Sequence, residues 1–361
     1  MAAPAGTSVG DVTQAELRLA ARNHALPLEA LRYDITPAGL HYLLVHYDIP
    51  TVDPRTWRLQ IGGCVRSPCT FSLADLQALP AASRVVTLEC AGNGRARLEP
   101  RPVSQPWLTE AVGTAQWTGV ALASVIDAAG GLEAEAVELV FTGLDRGIDG
   151  GVEQHYERSL PIAEALGRDV LLAYAMNGAP LPAQHGFPLR LVVPGWYGMA
   201  HVKWLAAIDA VAEPFAGFQQ AVAYREYDAD GRPGEPVTRM LPRSLTAPPG
   251  IPDFLTRERL VEPGTCRLQG RAWSGWGAIQ RVDVTVDDGA SWLPAQLGPQ
   301  PDARCWVSWS MDWVAEPGTY GLSSRARDTA GNEQPLEPRW NLKGYVNNAV
   351  ERLAVTVRAA G

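Results

Sequence analysis

A short apolar run, Val85-Val86-Thr87-Leu88-Glu89-Cys90, breaks at once into Ala91-Gly92-Asn93-Gly94-Arg95 and limits the local structure more tightly than any other stretch. The β-branched residues favour a buried strand end, while Gly-Asn-Gly permits backbone conformations and close approaches that larger side chains block. Cys90 is thereby set at a strand-to-loop junction that a bulky ligand can reach. A lone cysteine beside valine and leucine also reads as a small core hydrophobe, the common fate of a free cysteine. Its neighbours decide between the two readings.

The chain has 361 residues, more than one hydrophobic core usually serves, so two domains are expected. Lys and Arg number 31 against 39 Asp and Glu, a formal charge of -8. That balance argues against a broad nucleic-acid surface and is compatible with a local basic pocket for a small anion. Six His and five Cys form no C-x-x-C pair and no H-E-x-x-H, so a multi-ligand zinc or iron–sulfur site has little support. Cys64, Cys69, Cys90, Cys266 and Cys305 are odd in number and irregular in spacing, unlike a disulfide framework. No segment holds about 18 uninterrupted apolar residues, so no transmembrane segment is expected. Residues 1–11 lack the basic start and apolar core of a secretory signal; a cytoplasmic chain is expected, and an exported one with its signal removed fits the same sequence.

Residues 1–13 are small and polar and read as a disordered or extended arm. Residues 14–23 suit a short helix, and 27–52 read as irregular backbone with brief extended pieces such as His41-Tyr42-Leu43-Leu44-Val45-His46. Residues 58–63 read as a strand and 70–76 as a short N-capped helix. Residues 95–102 form a basic, proline-stiffened loop beside the cysteine. Residues 121–129 suit a helix ended by Gly130-Gly131. Residues 136–141 suit a strand, and Gly143-Leu144-Asp145-Arg146-Gly147 a loop offering a polar contact. A short helix over 162–166 and strands over 170–174 and 189–193 follow, the strands separated by a turn-rich stretch. The mixture is neither a βαβ repeat nor a β meander and predicts an α+β domain with long functional loops. No Walker sequence and no G-x-G-x-x-G follows a strand, which leaves nucleotide-triphosphate and NAD readings weak.

Residues 233–254 are proline-rich and read as a crossing segment rather than a packed element. Beyond them, 266–273, 279–286, 305–309, 318–326 and 350–357 alternate as short strands with the spacing of a two-sheet β sandwich. The predicted organisation is an arm and short helix over 1–25, a first domain over 26–232, the crossing over 233–254, and an all-β domain over 255–361. Trp273, Trp276, Trp292, Trp306, Trp309, Trp313 and Trp340 supply that last domain with core and interface area.

Cys90-Ala91-Gly92-Asn93-Gly94-Arg95 stands in order with Trp117-Thr118-Gly119-Val120, Gly143-Leu144-Asp145, Ser159-Leu160-Pro161, His185-Gly186-Phe187-Pro188-Leu189-Arg190, Val202-Lys203-Trp204-Leu205 and Ala272-Trp273-Ser274-Gly275. Together, from Leu26 to Val357, they resemble the sulfite oxidase family of molybdenum enzymes. The resemblance implies a sulfite oxidase molybdopterin-binding fold followed by an immunoglobulin-like dimerisation domain, and hence a homodimer. It implies one molybdopterin (mononuclear molybdenum cofactor) held through a single protein cysteinate, with two further sulfurs from the pterin dithiolene. Cys90 is the matching metal ligand, and one soft thiolate suffices because the organic group is already a chelate.

The resemblance further implies that His46, Asp145, His185, Arg190 and Lys203 bind the cofactor. Arg190 and Lys203 also suit a phosphate by their own chemistry, and Asp145 suits pterin N–H groups. Tyr224 stands at the separation of the family's active-site tyrosine, where a phenol donates to an oxyanion without adding charge. Tyr224, Cys90 and Arg95 are the catalytic candidates; Arg95 has a counterpart in the cysteine motif, and Arg97 adds charge at the same mouth.

Three positions depart from the family pattern. Leu44 stands where sulfite-oxidising members commonly carry arginine, Gln116 where they tend to, and Trp276, with Ala278, where a basic residue is usual. Losing such partners from a desolvated anion site costs roughly 1.5–3 kcal/mol for each charged hydrogen bond. Arg97, Arg101, His155, His201 and Arg225 are candidates to replace the charge.

The expected activity is molybdenum-dependent oxidation of sulfite or a related small sulfur oxyanion by oxygen-atom transfer. Electrons pass to an external acceptor, since the chain contains no C-x-x-C-H haem motif. Two readings stay open beside it: a molybdenum-dependent reductase of an oxidised sulfur or nitrogen compound, and a non-catalytic interaction protein that retains the fold.

Overall fold

The computed structural model describes residues 12–167 and 169–359. The arm expected at the start lies, up to residue 11, outside them. Helix α1 (Gln14–Ala20) begins at Thr13, whose side chain accepts from the Glu16 N–H while Glu16 reaches back to the Thr13 N–H. The first domain continues through β1 (Leu59–Gly63), β2 (Cys69–Phe71), α2 (Leu73–Ala78), β3 (Ala81–Glu89), β4 (Val112–Ala121) and α3 (Leu122–Ala128). It proceeds through β5 (Glu138–Asp149), β6 (Val152–Pro161), α4 (Ile162–Ala165), β7 (Leu171–Met176), β8 (Ala179–Pro180), β9 (Arg190–Val192) and β10 (Leu205–Val211). Ser72 caps α2, while Thr70 and Phe71, expected in that helix, pair with β1 instead.

One sheet has the order β2-β1-β10-β5-β6, with β1 parallel to β10 and the other pairs antiparallel. The second runs β3-β4-β7-β8, with β9 also paired to β7. Its strands are apolar on both faces. Val112, Val120 and Leu172 join the main core, and Val86, Leu88, Trp117 and Ala173 join a smaller cluster that includes Cys90. The stretch Gly143–Gly147, expected as a loop, lies inside β5. Its pairing with β6 breaks register between Thr142 and Arg146, so the segment keeps strand direction but bulges, turning Asp145 into the interior.

A hairpin of β11 (Arg225–Tyr227) and β12 (Pro233–Pro236) leads to the second domain. There β13 (Arg243–Ala247), β14 (Ile251–Pro252), β15 (Arg259–Val261), β16 (Gly264–Trp273), β17 (Ile279–Thr285), β18 (Leu293–Pro294), β19 (Gln296–Leu297), β20 (Val307–Ala315), β21 (Gly318–Asp328) and β22 (Leu353–Val357) build two sheets. The orders are β13-β16-β20-β19 and β14-β15-β22-β21-β17-β18. Leu268, Val307 and Trp309 of the first sheet share a core with Val282, Leu322 and Val355 of the second. The proline-rich stretch 233–254 is not only a crossing: β13 lies inside it, is buried at all five positions, and pairs with β16. Prolines flank that strand without interrupting its ladder, which composition alone does not reveal. No helix among the described residues is long and apolar enough to cross a membrane.

The domains are joined around the cysteine loop. Val346 N–H donates to Ala91 O at 2.8 Å, Asn347 Nδ2 to Gly94 O at 2.8 Å, and Trp306 N–H to Thr87 Oγ1 at 2.8 Å. Gly94 has φ +88°, and a Cβ there would stand 2.9 Å from Asn347 O, so both its conformation and its neighbour require glycine. Buried Glu89 receives Trp273 Nε1–H at 2.8 Å and Asn93 Nδ2–H at 3.0 Å, and pairs with Arg243 Nε at 2.8 Å.

Candidate active site

Cys90 follows β3 directly and is held by its N–H to Ala111 O at 2.9 Å. The glycines behind it leave room for the Arg95 side chain, whose guanidinium would meet a Cβ on Gly92 at 2.5 Å. Burial pushes the Cys90 thiol up, while the Arg95 charge, the Gly92 backbone N–H and the Trp107 indole favour the thiolate.

Two connected spaces meet at Cys90. The inner cavity is lined by Cys90, His46, Asp145, His185, Arg190, Lys203 and Tyr224, together with His41, Tyr156 and His201. Chain elements from distant parts of the sequence deliver them. Asp145 sits in the β5 bulge, His185 ends a 3-10 turn, Arg190 opens β9, Lys203 precedes β10, and Tyr224 follows a π-helical turn. The outer cleft shares Leu44, His46, Cys90 and Tyr224 with the cavity and adds Arg95, Trp107, Lys343 and Tyr345.

The inner cavity brings charged and hydrogen-bonding side chains together against an apolar wall. Arg190 donates from its two terminal nitrogens to His185 O at 3.0 Å and His201 O at 3.4 Å, and lies 4.6 Å over the Trp117 ring. Lys203 Nζ donates to Leu44 O at 2.7 Å and Gln184 O at 3.3 Å. Burial lowers the Lys203 ammonium and raises the Asp145 carboxyl, each favouring its neutral form, while their mutual attraction opposes both shifts. Burial brings Arg190 down to about 10. His185 is held at about 2 by burial, with His41 and Arg190 adding to the effect. His46 lies at about 3, first through burial and then through the Lys203 charge.

Four buried polar atoms along this wall have no protein partner: Asp145 Oδ1, His185 Nε2, Arg190 Nε and His41 Nε2. An orphaned polar atom in a protein interior costs roughly 1–3 kcal/mol, so four on one cavity mark a place built for a polar ligand. Among the described residues no group of three or more His, Cys, Asp or Glu is placed to hold a metal ion.

Where the two spaces meet, the Tyr224 hydroxyl and His46 Nε2 share a hydrogen bond of 2.5 Å. His46 stacks on Tyr156 at 4.6 Å, and Tyr224 on Tyr345 at 5.2 Å. Arg158 lies 5.6 Å from the Tyr224 ring on β6, its own charge disfavoured by burial. Arg95 donates to Lys343 O at 2.8 Å and Gln105 O at 3.1 Å, and covers Tyr345 at 5.1 Å.

The three departures separate in space. Leu44 lines both the cavity and the cleft, whereas Gln116 is exposed on β4 and Trp276 half-exposed beside Arg239, both outside these linings. The proposed substitutes for charge are also distributed elsewhere. Arg97 pairs with Glu351 at 2.5 Å, Arg101 pairs with Glu16, His155 Nδ1 faces Gly143 O at 3.0 Å, and Arg225 donates to Gly234 O at 2.5 Å. His201 does line the cavity, but its Nδ1 accepts from the Val193 N–H at 3.1 Å and its Nε2–H donates to Trp196 O at 3.2 Å. It is a neutral brace rather than a spare charge. Trp107, Tyr156, Arg158, Lys343 and Tyr345 are the site residues that sequence reasoning missed. Arg158 directly precedes the matched Ser159-Leu160-Pro161, the one local signal that pointed to any of them.

The family described as "Oxidoreductase molybdopterin binding domain" matches residues 46–219, and "Mo-co oxidoreductase dimerisation domain" matches 249–358. Mitochondrial sulfite oxidase of Mus musculus is 36% identical over 342 residues, covering 90% of this chain and 62% of its own length. Sulfite oxidase of Gallus gallus is 35% identical with 88% and 72% covered, and that of Arabidopsis thaliana 32% identical with 88% and 87% covered. The sulfane dehydrogenase SoxCD of Paracoccus pantotrophus superposes with a TM-score of 0.79 at 27% identity, covering 93% of this chain and 86% of that one. The chain belongs to the sulfite oxidase family of molybdopterin oxidoreductases.

Proposed function

We propose that the protein is a molybdenum-dependent oxidoreductase that oxidises sulfite or a related small sulfur oxyanion by oxygen-atom transfer to an external electron acceptor. The observation that carries this is a single cysteine at the end of a cavity whose wall presents four unpartnered polar atoms. That donor set fits molybdopterin: one thiolate for the metal, with hydrogen-bonding and cationic groups for the pterin and its phosphate. The names of the relatives, sulfite oxidases and a sulfane dehydrogenase, support sulfur as the reacting element.

In this reading Cys90 is the protein ligand, Asp145 and His185 bind the pterin with His46, and Arg190 and Lys203 hold the phosphate. When bound, the group supplies two-electron redox chemistry and oxygen transfer to sulfur. Tyr224, oriented by His46 and braced by Tyr345, presents its phenol to the anion without adding charge. Arg95 and Lys343 make the cleft attractive to an anion. The facing sheets of the second domain support an immunoglobulin-like dimerisation domain and a homodimer, which light scattering at micromolar concentration would test, with a stable monomer as the adverse result.

The deciding experiment is analysis of purified protein for molybdenum and pterin, with sulfite-dependent ferricyanide reduction. Near-stoichiometric metal and saturable turnover are expected, and Cys90→Ser should lose both. Protein expressed with sufficient cofactor that contains neither metal nor pterin would falsify the reading.

A further inference from the structure

The outer cleft is mixed in character, with Asn23, Ser104, Gln105, Asp149 and Gln219 among its polar lining. Cys90, Tyr224 and Lys343 lie among its lining, yet much of the remainder is carbon: Leu44, Val103, Trp107, Ile148, Phe218 and Leu342. Ile148 is 74% exposed, Val103 59% and Leu342 45%. An inorganic oxyanion gains nothing from such a wall, and a scattered surface hydrophobe needs no explanation; these residues line one cleft with the reacting end. The cations there are only partly free: the Lys343 ammonium keeps one of its three N–H donors for an anion. Arg95 is tied to two carbonyls, and Lys343 Nζ donates to Val222 O at 2.8 Å and Ala223 O at 3.1 Å. Leu44 puts an apolar side chain where the cleft meets the inner cavity.

We infer that the cleft takes an organic sulfur oxyanion, a sulfinate with an apolar group, its head at Tyr224 and Lys343 and its hydrocarbon part along Leu44, Val103 and Ile148. This rests on the site being an oxygen-transferring molybdenum centre, and it names the substrate class of that site. The reaction balances as R–SO2⁻ plus water giving R–SO3⁻, two protons and two electrons. A sulfur–oxygen bond forms at the sulfur lone pair, and the electrons pass to two equivalents of a one-electron acceptor. The sulfinate, like sulfite, offers a nucleophilic sulfur lone pair, but it carries one charge and a surface that can be buried.

The metal-loaded protein should be titrated calorimetrically with sulfate, methanesulfonate and hexane-1-sulfonate. Methanesulfinate, hexane-1-sulfinate and sulfite should then be compared as substrates with ferricyanide. Hexane-1-sulfonate is expected to bind at least tenfold more tightly than methanesulfonate, with kcat/KM rising in the same order across the sulfinates. Leu44→Arg should reverse the preference toward sulfite and sulfate, and Ile148→Ser with Val103→Ser should weaken the long-chain ligand several-fold. Equal affinity at both chain lengths overturns the inference and leaves the molybdenum reading intact. So does a rim effect confined to the rate with a protein acceptor such as cytochrome c, which assigns the rim to acceptor docking. If the protein holds no molybdenum or pterin, the molybdenum reading fails instead, and the sulfonate titration still reports on the cleft.

Discussion

Replacing Arg243 by methionine tests whether the second domain holds the cysteine loop in place. The Arg243 and Glu89 side chains are 2% and 1% exposed and stand 2.8 Å apart. Arg243 also donates to Asn93 O at 3.3 Å and to Asn347 O. Arg243→Met fills similar volume but leaves the Glu89 carboxylate with only the Trp273 and Asn93 N–H groups. Removing one partner of a buried ion pair costs about 3–5 kcal/mol, because the remaining charge stays desolvated. At roughly 2–4 °C per kcal/mol for a domain of this size, the thermal midpoint should fall by roughly 6–20 °C. Glu89→Gln in the same background removes the stranded charge and should recover a substantial part of the loss, a coupling read directly from the double-mutant cycle. Because Asn93 and Glu89 brace the loop that carries Cys90, the single variant should also retain less molybdenum. A midpoint within about 2 °C of wild type, with unchanged metal content, would refute the assignment, since it would mean that the network is not under load.

Acid should weaken the cofactor-free protein. His41, His46, His185 and His201 lie at about 4, 3, 2 and 3 in the fold, below the roughly 6.5 of an unfolded histidine. The unfolded chain therefore takes up protons first: stability is full above about pH 6.5 and falls as the pH drops toward 4, by on the order of 5 kcal/mol per unit for four groups. Denaturant midpoints that stay flat between pH 6.5 and pH 5 would contradict this burial. Tyr224→Phe removes the phenol but keeps the ring on Tyr345, so kcat/KM for sulfite should fall about tenfold with unchanged circular dichroism; unaltered kinetics would remove Tyr224 from the site. Lys203→Met deletes one of the two Lys and Arg side chains that line the inner cavity, and pterin retention through gel filtration should fall by roughly tenfold or more. Retention equal to wild type would place the phosphate elsewhere.

Much of the site was legible in the residues because its parts carry local chemistry. The Gly-Asn-Gly after Cys90 reports a backbone need that glycine alone meets at Gly94, and Arg190 and Lys203 sit in short ordered motifs. Two expectations failed for a shared reason. Gly143–Gly147 has the composition of a loop, yet strand pairing on both sides carries it through as a bulge. Residues 243–247 were hidden by flanking prolines, although β16 supplies a full ladder for them. In each case a neighbour distant in sequence overrode the local preference.

By itself the sequence determined the cysteine junction, the family to which the chain belongs and the all-β character of the second domain, since these are written in backbone preferences and short ordered motifs. Only the tertiary structure decided which of the three absent charges falls at the cavity. Leu44 faces the site, while Gln116 and Trp276 do not. It also brought Lys343 and Tyr345 to the same cleft as Cys90 from the far end of the chain. The value of a charge depends on its distance from the reacting group and on the medium between them, and both are properties of the packed interior.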